Sequence, residues 1–208
     1  DEPLAIPFDH TVPLARILAA NPYDAKKRTG IRLPWRRMVI GPVFRSDTPQ
    51  SGRYRQFYQF DADIAGTASM VADAEIVAIM FLTMEALGIE RFKIRLNNRK
   101  ILNGLAMLAD IRDREQVSGD DITKEMMRIL DKLEKIGMEG VLTELQAMPK
   151  NPFEPAPGLS QDAVEKIRGF LDLGGTNEEK LTRCSELFRG IDIAQEGIRE
   201  LEEILAYL

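Results

Sequence analysis

Residues 37–64, RMVIGPVFRSDTPQSGRYRQFYQFDADI, hold two apolar and aromatic runs around a short loop, and their reading decides the fold. Residues 37–44 have the β-branched content of a buried strand. Residues 46–52 (SDTPQSG) are a connection built from turn residues, and residues 53–64 supply a second strand. Side chains alternate faces along a strand. The odd positions of the second run are Arg53, Arg55, Phe57, Gln59, Asp61 and Asp63, and the even ones are Tyr54, Gln56, Tyr58, Phe60, Ala62 and Ile64. The pattern predicts an aromatic and apolar even face on a core, with the charged odd face either lining a polar cleft or meeting water.

Upstream of the hairpin, Asp9 or Thr11 caps a helix over residues 11–20, with Pro13 in its first turn, and residues 21–34 form a basic connector. Downstream, residues 73–87 read as an amphipathic helix stopped by Gly88, and residues 92–96 (FKIRL) as a further strand. Helical spacing then recurs over residues 98–109, 121–136, 139–147, 160–173, 177–188 and 193–208. Residues 148–158 carry four prolines and cannot be helical throughout. The chain is therefore expected to be α+β, with a mixed region over residues 1–103 and an all-helical module over residues 104–208.

Charge follows the same division. Residues 26–55 hold nine basic side chains against the single acid Asp47, a net +8, whereas residues 101–208 hold 13 basic and 22 acidic side chains, a net −9. The whole chain of 208 residues sums to −5, which excludes a chain-wide basic coat for nucleic acid but not a local phosphate-handling site. One Cys (Cys184) and one His (His10) exclude a disulfide framework and a structural zinc site built by this chain, and make a reducing, cytoplasmic setting the expectation. No apolar run approaches the roughly 20 residues of a membrane span. The sequence opens without Met and ends at Leu208 without a stop signal, so a piece of a longer protein is expected.

No nucleophile–base pair can be assembled around the lone His10, and neither a GxxxxGK[ST] nor a GxGxxG loop occurs. Asp110, Asp113, Asp120 and Asp121 are too irregular for a calcium loop, and no protein-built metal site is expected. The hairpin remains. Arg45 ends one strand and Arg53 and Arg55 begin the next, so three guanidiniums can converge where a polyphosphate would sit. Phe57 on the same face can stack on a base, and Gln59, Asp61 and Asp63 continue as acceptors for an ammonium or an imidazole N–H. Basic, aromatic and acidic groups in that order match the polarity of a nucleotide beside an amino acid.

Residues 41–45 (GPVFR) with residues 50–66 (QSGRYRQFYQFDADIAG) resemble motif 2 of the class II aminoacyl-tRNA synthetases, in its histidyl-tRNA synthetase form. Residues 8–16 (FDHTVPLAR) resemble that family's histidine-binding turn, and Asp73-Ala74-Glu75 with residues 96–102 resemble the helix and strand before its helical insertion domain. The resemblance implies part of a class II antiparallel sheet with flanking helices, followed by that insertion domain. It implies that Arg45 grips the ATP α-phosphate and the reacting carboxylate, Arg53 reaches the γ-phosphate, Phe57 stacks on adenine and Asp47 contacts it. It likewise implies that Asp9, Thr11 and Gln59 hold the histidine α-ammonium and that Asp63 reads the imidazole. ATP with bridging magnesium, histidine and the acceptor end of tRNA(His) are the implied ligands, and a homodimer the implied state of the full-length enzyme. The family's motif 1, second histidine signature, motif 3 and anticodon-binding domain have no counterpart here, so the chain alone is expected not to aminoacylate. The competing expectation is the synthetase-like regulatory subunit of ATP phosphoribosyltransferase, which binds histidine without catalysis. A third is a helical interaction module whose arginines merely bind anions.

Overall fold

Strands β1 (Trp35–Phe44) and β2 (Gln56–Ala65) pair antiparallel in the computed structural model, which describes residues 5–208. The register sets Val43 opposite Phe57, Gly41 opposite Gln59, Val39 opposite Asp61 and Arg37 opposite Asp63, so these side chains share one face. Beyond the strands the ladder continues for one bond, from the Arg45 N–H to the Arg55 carbonyl at 2.8 Å. Arg53, expected to open the second strand, lies instead in the connecting loop, where it exchanges backbone hydrogen bonds with Gln50. That local pair closes a turn before the main ladder begins.

Helix α1 (Thr11–Ala20) precedes the hairpin. Its start is held by Asp9, whose carboxylate accepts from the N–H groups of Thr11 and Val12 at 3.1 and 3.3 Å. Helix α2 (Met70–Ala86) follows, capped by the Ser69 hydroxyl, and packs against β2. Glu75 of α2 takes the Arg36 guanidinium at 2.7 Å, which holds its carboxyl below the usual range.

The sidedness of the sheet differs from expectation. The charged odd face is the covered one: the Arg37 and Arg45 guanidiniums donate to the His10 and Phe8 carbonyls at 3.0 and 3.1 Å, and the His10 ring lies against Gly41, where a Cβ would meet it at 3.0 Å. The even face carries Met38, Ile40 and Tyr58 at 64–74% exposure. The backbone of residues 7–10 reaches for hydrogen-bonding groups, which the polar face offers and the apolar face does not.

Residues 92–96, expected as a strand, form no ladder, and the two compact units divide there, between Ile94 and Arg95. Helix α3 (Arg99–Leu108), cut by a division at 103/104, lies wholly in the second unit, because it packs along α8 (Asp192–Tyr207). Between them come α4 (Gly119–Leu130), α5 (Leu133–Gln146), α6 (Gln161–Leu171) and α7 (Asn177–Leu187). The break expected after Ile136 falls earlier, at Asp131 and Lys132, with a second interruption at Gly137 inside α5. Ser118, Ser160 and Thr176 cap α4, α6 and α7, and Thr176 completes a capping box with Glu179.

Among the described residues of the first unit, the buried apolar side chains are Leu14, Val43 and Ala74; all the others, from Ile101 to Ile204, belong to the helical unit. Phe188, Leu105, Ile122, Met126 and Leu145 fill its centre. Cys184 is part of that packing, and burial pushes its thiol up to about 11, away from any nucleophilic use near neutral pH. The proline-rich connector is tied down by Arg114, whose guanidinium donates to the carbonyls of Ala156 and Pro157.

Candidate active site on the hairpin

The odd face of the hairpin carries a chain of polar contacts that begins at Arg45. Its Nε donates to the Phe8 carbonyl at 3.1 Å and its Nη2 to Gln59 Oε1 at 2.8 Å, while the guanidinium carbon lies 5.1 Å from the centre of the Phe57 ring. Gln59 in turn donates through Nε2 to both oxygens of Asp61, at 2.7 and 2.9 Å. A carboxylate only accepts, so Asp61 fixes which end of the Gln59 amide faces Arg45.

One residue pair further along, Arg37 Nη2 lies 3.2 Å from Asp63 Oδ2 and donates to the His10 carbonyl at 3.0 Å. The Arg37 and Asp63 side chains are only 12% and 22% exposed, the most protected ion pair among the described residues. Neither Arg37 Nε nor Asp63 Oδ2 makes a well-directed hydrogen bond within the chain. Thr11, Asp61 and Asp63 line a cavity of about 360 Å³, walled by Phe60 and Ala62 of β2 and by Ile76, Ile79, Met80, Thr83 and Met84 of α2. A larger cavity, about 750 Å³, lies beside Phe81, Gly88 and Phe92 and contains none of the candidate residues.

The expected residues thus fall into three groups. Arg45, Phe57 and Gln59 are in mutual contact through Arg45. Thr11 and Asp63 share the 360 Å³ cavity, while Asp9 is occupied in holding the start of α1. Asp47 and Arg53 stand in the exposed loop, 4.0 Å apart, with the Asp47 carbonyl receiving Arg55 Nε at 3.4 Å.

One residue without an assigned role, Arg37, enters the site. Arg37 was visible only as one of nine basic side chains, although the odd parity it shares with Asp63 follows from the register. Asp61, read with Gln59 and Asp63 as an acceptor on the odd face, is held instead by the Gln59 amide.

The geometry suits a flat base and an amino acid side by side. The Phe57 ring already takes a planar cation on its face, as it would an adenine. Asp63 and Thr11 give the cavity acceptors for a small polar ligand. Among the described residues no three acidic, thiol or imidazole groups converge.

Known proteins carry the same pattern over the full length. The family model described as Histidyl-tRNA synthetase matches residues 1–208. The histidine–tRNA ligase of Clostridium tetani is 39% identical over 207 residues, 99% of this chain and 42% of the relative. That of Wolinella succinogenes is 38% identical over 207 residues with the same coverage, so the chain spans about 42% of the length of these relatives. Among solved structures, histidyl-tRNA synthetase from Nostoc sp. PCC 7120 superposes with a TM-score of 0.77 at 30% identity, covering all of this chain and 44% of that one. An ATP phosphoribosyltransferase regulatory subunit/histidyl-tRNA synthetase from Bacillus halodurans reaches 0.67 at 20% identity, over 97% of this chain and 46% of that one, and so shares the fold. With a family match from end to end and a relative 39% identical over nearly all of its residues, the chain belongs to the histidyl-tRNA synthetase family.

Proposed function

We propose that this chain is the part of a histidine–tRNA ligase that holds histidine beside the ATP α-phosphate. The observation that carries the reading is the continuous line Arg45–Gln59–Asp61 running into the cavity that Thr11 and Asp63 line. In the reaction, a carboxylate oxygen of histidine attacks the α-phosphorus and the bond to the bridging oxygen breaks. Pyrophosphate leaves and histidyl-adenylate remains, whose acyl group passes to the tRNA acceptor end with release of AMP.

Such a reaction asks for positioning and charge neutralisation rather than a protein nucleophile. Arg45 sits where it can neutralise both the attacking carboxylate and the phosphate. Gln59 Oε1, which Arg45 holds in this state, is the acceptor for the substrate ammonium. Asp63 accepts the imidazole N–H, a donor that few other amino acids imitate. Arg53 and Asp47, on the exposed loop, are assigned to the γ-phosphate and the adenine, Asp9 and Thr11 to the ammonium side. Magnesium neutralises phosphate charge when it arrives with the nucleotide.

The regulatory-subunit reading needs no nucleotide grip. The contact of Arg45 with the Phe57 face favours the ligase reading over it.

The test is a calorimetric titration with a non-hydrolysable histidyl-adenylate analogue, with the alanyl analogue and Arg45→Ala beside it. Selective binding of the histidyl analogue is expected, weakened on the order of tenfold to a hundredfold by Arg45→Ala, the range of a charge-assisted contact. Equal binding of the two analogues would remove histidine from the proposal, and an unaffected Arg45→Ala would remove the adenylate.

A further inference from the structure

We infer that Arg37 is a positioning residue that converts Asp63 from a bare carboxylate into one half of a neutral pair, so that the site selects an uncharged imidazole and discriminates against cationic side chains. The inference rests on the proposed function, since it concerns how Asp63 reads histidine. It starts from three observations. Arg37 and Asp63 are opposed in the ladder and lie 3.2 Å apart. Both are largely shielded from water, where charge pairing is felt more strongly than at the surface. The Arg37 guanidinium is itself anchored on the His10 carbonyl at 3.0 Å, which restrains it against following a ligand.

A lone carboxylate in that cavity would attract any cation. Lysine, arginine and protonated histidine would all gain from it, and the neutral imidazole would gain least. With a guanidinium fixed alongside, the charge of Asp63 itself is offset, leaving Asp61, held by the neutral Gln59 amide, as the other carboxylate at the cavity wall, while Asp63 keeps its directional acceptor capacity. Asp63 Oδ2 is turned toward Arg37 and closed off from solvent, so the partly exposed remainder of the carboxylate is what a ligand donor meets. A neutral N–H then keeps its hydrogen bond, whereas a cation loses the Coulombic reward for leaving water.

Among the described residues Arg37 is the cation paired with Asp63, and the other ionisable groups nearby are engaged elsewhere. On β2, Asp61 is engaged by Gln59, which links it to Arg45. From the segment before α1, the His10 ring nitrogen is placed on the Gly41 carbonyl at 3.3 Å and Asp9 on the backbone of α1. From α2, the cavity wall is Ile76, Ile79, Met80, Thr83 and Met84, none of them ionisable, and Glu75 is held by Arg36.

The experiment measures histidine-dependent ATP–pyrophosphate exchange by the complete protein that carries this chain, from about pH 5.5 to 8, a window that spans the imidazole titration near 6.5. In the unaltered protein the KM for histidine is expected to rise as pH falls, as the neutral form is depleted. In Arg37→Leu the KM at pH 8 is expected to rise on the order of tenfold, and its acid-side increase to flatten or reverse, because the unpaired carboxylate now favours imidazolium. Arg37→Lys keeps the positive charge and should keep the profile. Arg37→Gln keeps bulk without charge and should behave as Arg37→Leu, so the result does not hinge on one variant folding. His10→Asn controls for titration of that ring. An unchanged KM and pH profile in both Arg37→Leu and Arg37→Gln would overturn the inference while leaving histidine activation intact. Absence of histidine-dependent exchange in the unaltered protein would instead overturn the functional proposal, and this inference with it.

Discussion

Gln59 is the residue on which the site turns, because both ends of its amide are committed before a ligand arrives. Its Nε2 is spent on Asp61, and its Oε1 receives the Arg45 guanidinium, the position assigned to the substrate ammonium. On the proposed reading, substrate binding at Gln59 exchanges one cation for another and sets the displaced Arg45 free for the carboxylate and the phosphate. Asp61 makes the exchange possible by preventing the amide from presenting its N–H groups to a cation. Asp61→Ala should therefore raise the KM for histidine roughly threefold to tenfold, the worth of a hydrogen bond to a charged group in a half-exposed setting, with the KM for ATP within about twofold. Pyrophosphate exchange with each substrate varied in turn checks this, and equal effects on the two KM values would speak against it.

At the scale of elements, α3 and α8 approach closely at two glycines. A Cβ added at Gly104 would lie 2.5 Å from the Ala194 Cβ, and one at Gly197 would lie 2.9 Å from the Lys100 Cβ. The contact depends on both glycines, and Lys100 reinforces it by reaching Glu196 and Glu200 of α8. Gly104→Val should cost roughly 1–3 kcal/mol through forced separation of the two helices. A lowered denaturation midpoint of the helical unit checks that cost, and an unchanged midpoint would show that the helices separate freely. How much of this was legible in the sequence depended on range. Capping and spacing are local, so α1, α3, α6, α7 and α8 were readable to within a few residues, and the hairpin followed from parity and turn chemistry. The run 92–96 misled because β propensity describes a residue that fits a sheet but does not supply the neighbouring strand. Which face of the hairpin would be covered was set by backbone donors and acceptors in residues 7–10, far from the pattern that was counted. Arg37 was missed for a related reason, since its role comes from standing opposite Asp63 and not from its own neighbours in sequence.

On the scale of the whole molecule, apolar burial is concentrated in one unit. Helices α3 to α8 enclose nearly all of the buried apolar side chains, whereas the unit with the hairpin holds only Leu14, Val43 and Ala74 among its described residues. Burial of apolar surface is the main favourable term in folding, so the two units should not melt together. Urea unfolding of this chain is expected in two steps, the hairpin unit first, followed by Trp35 fluorescence, and the helical unit second, followed by far-ultraviolet circular dichroism. Coincident transitions would contradict it. The Arg114 tie has a different kind of consequence. Prolines remove four N–H donors from the connector, and one guanidinium moors its far end at Ala156 and Pro157, while Met148 and Phe153 stand 73% and 71% exposed. A protease that cut the strap there would sever the chain without dissolving the bundle, leaving two fragments that travel as one particle until denaturant parts them.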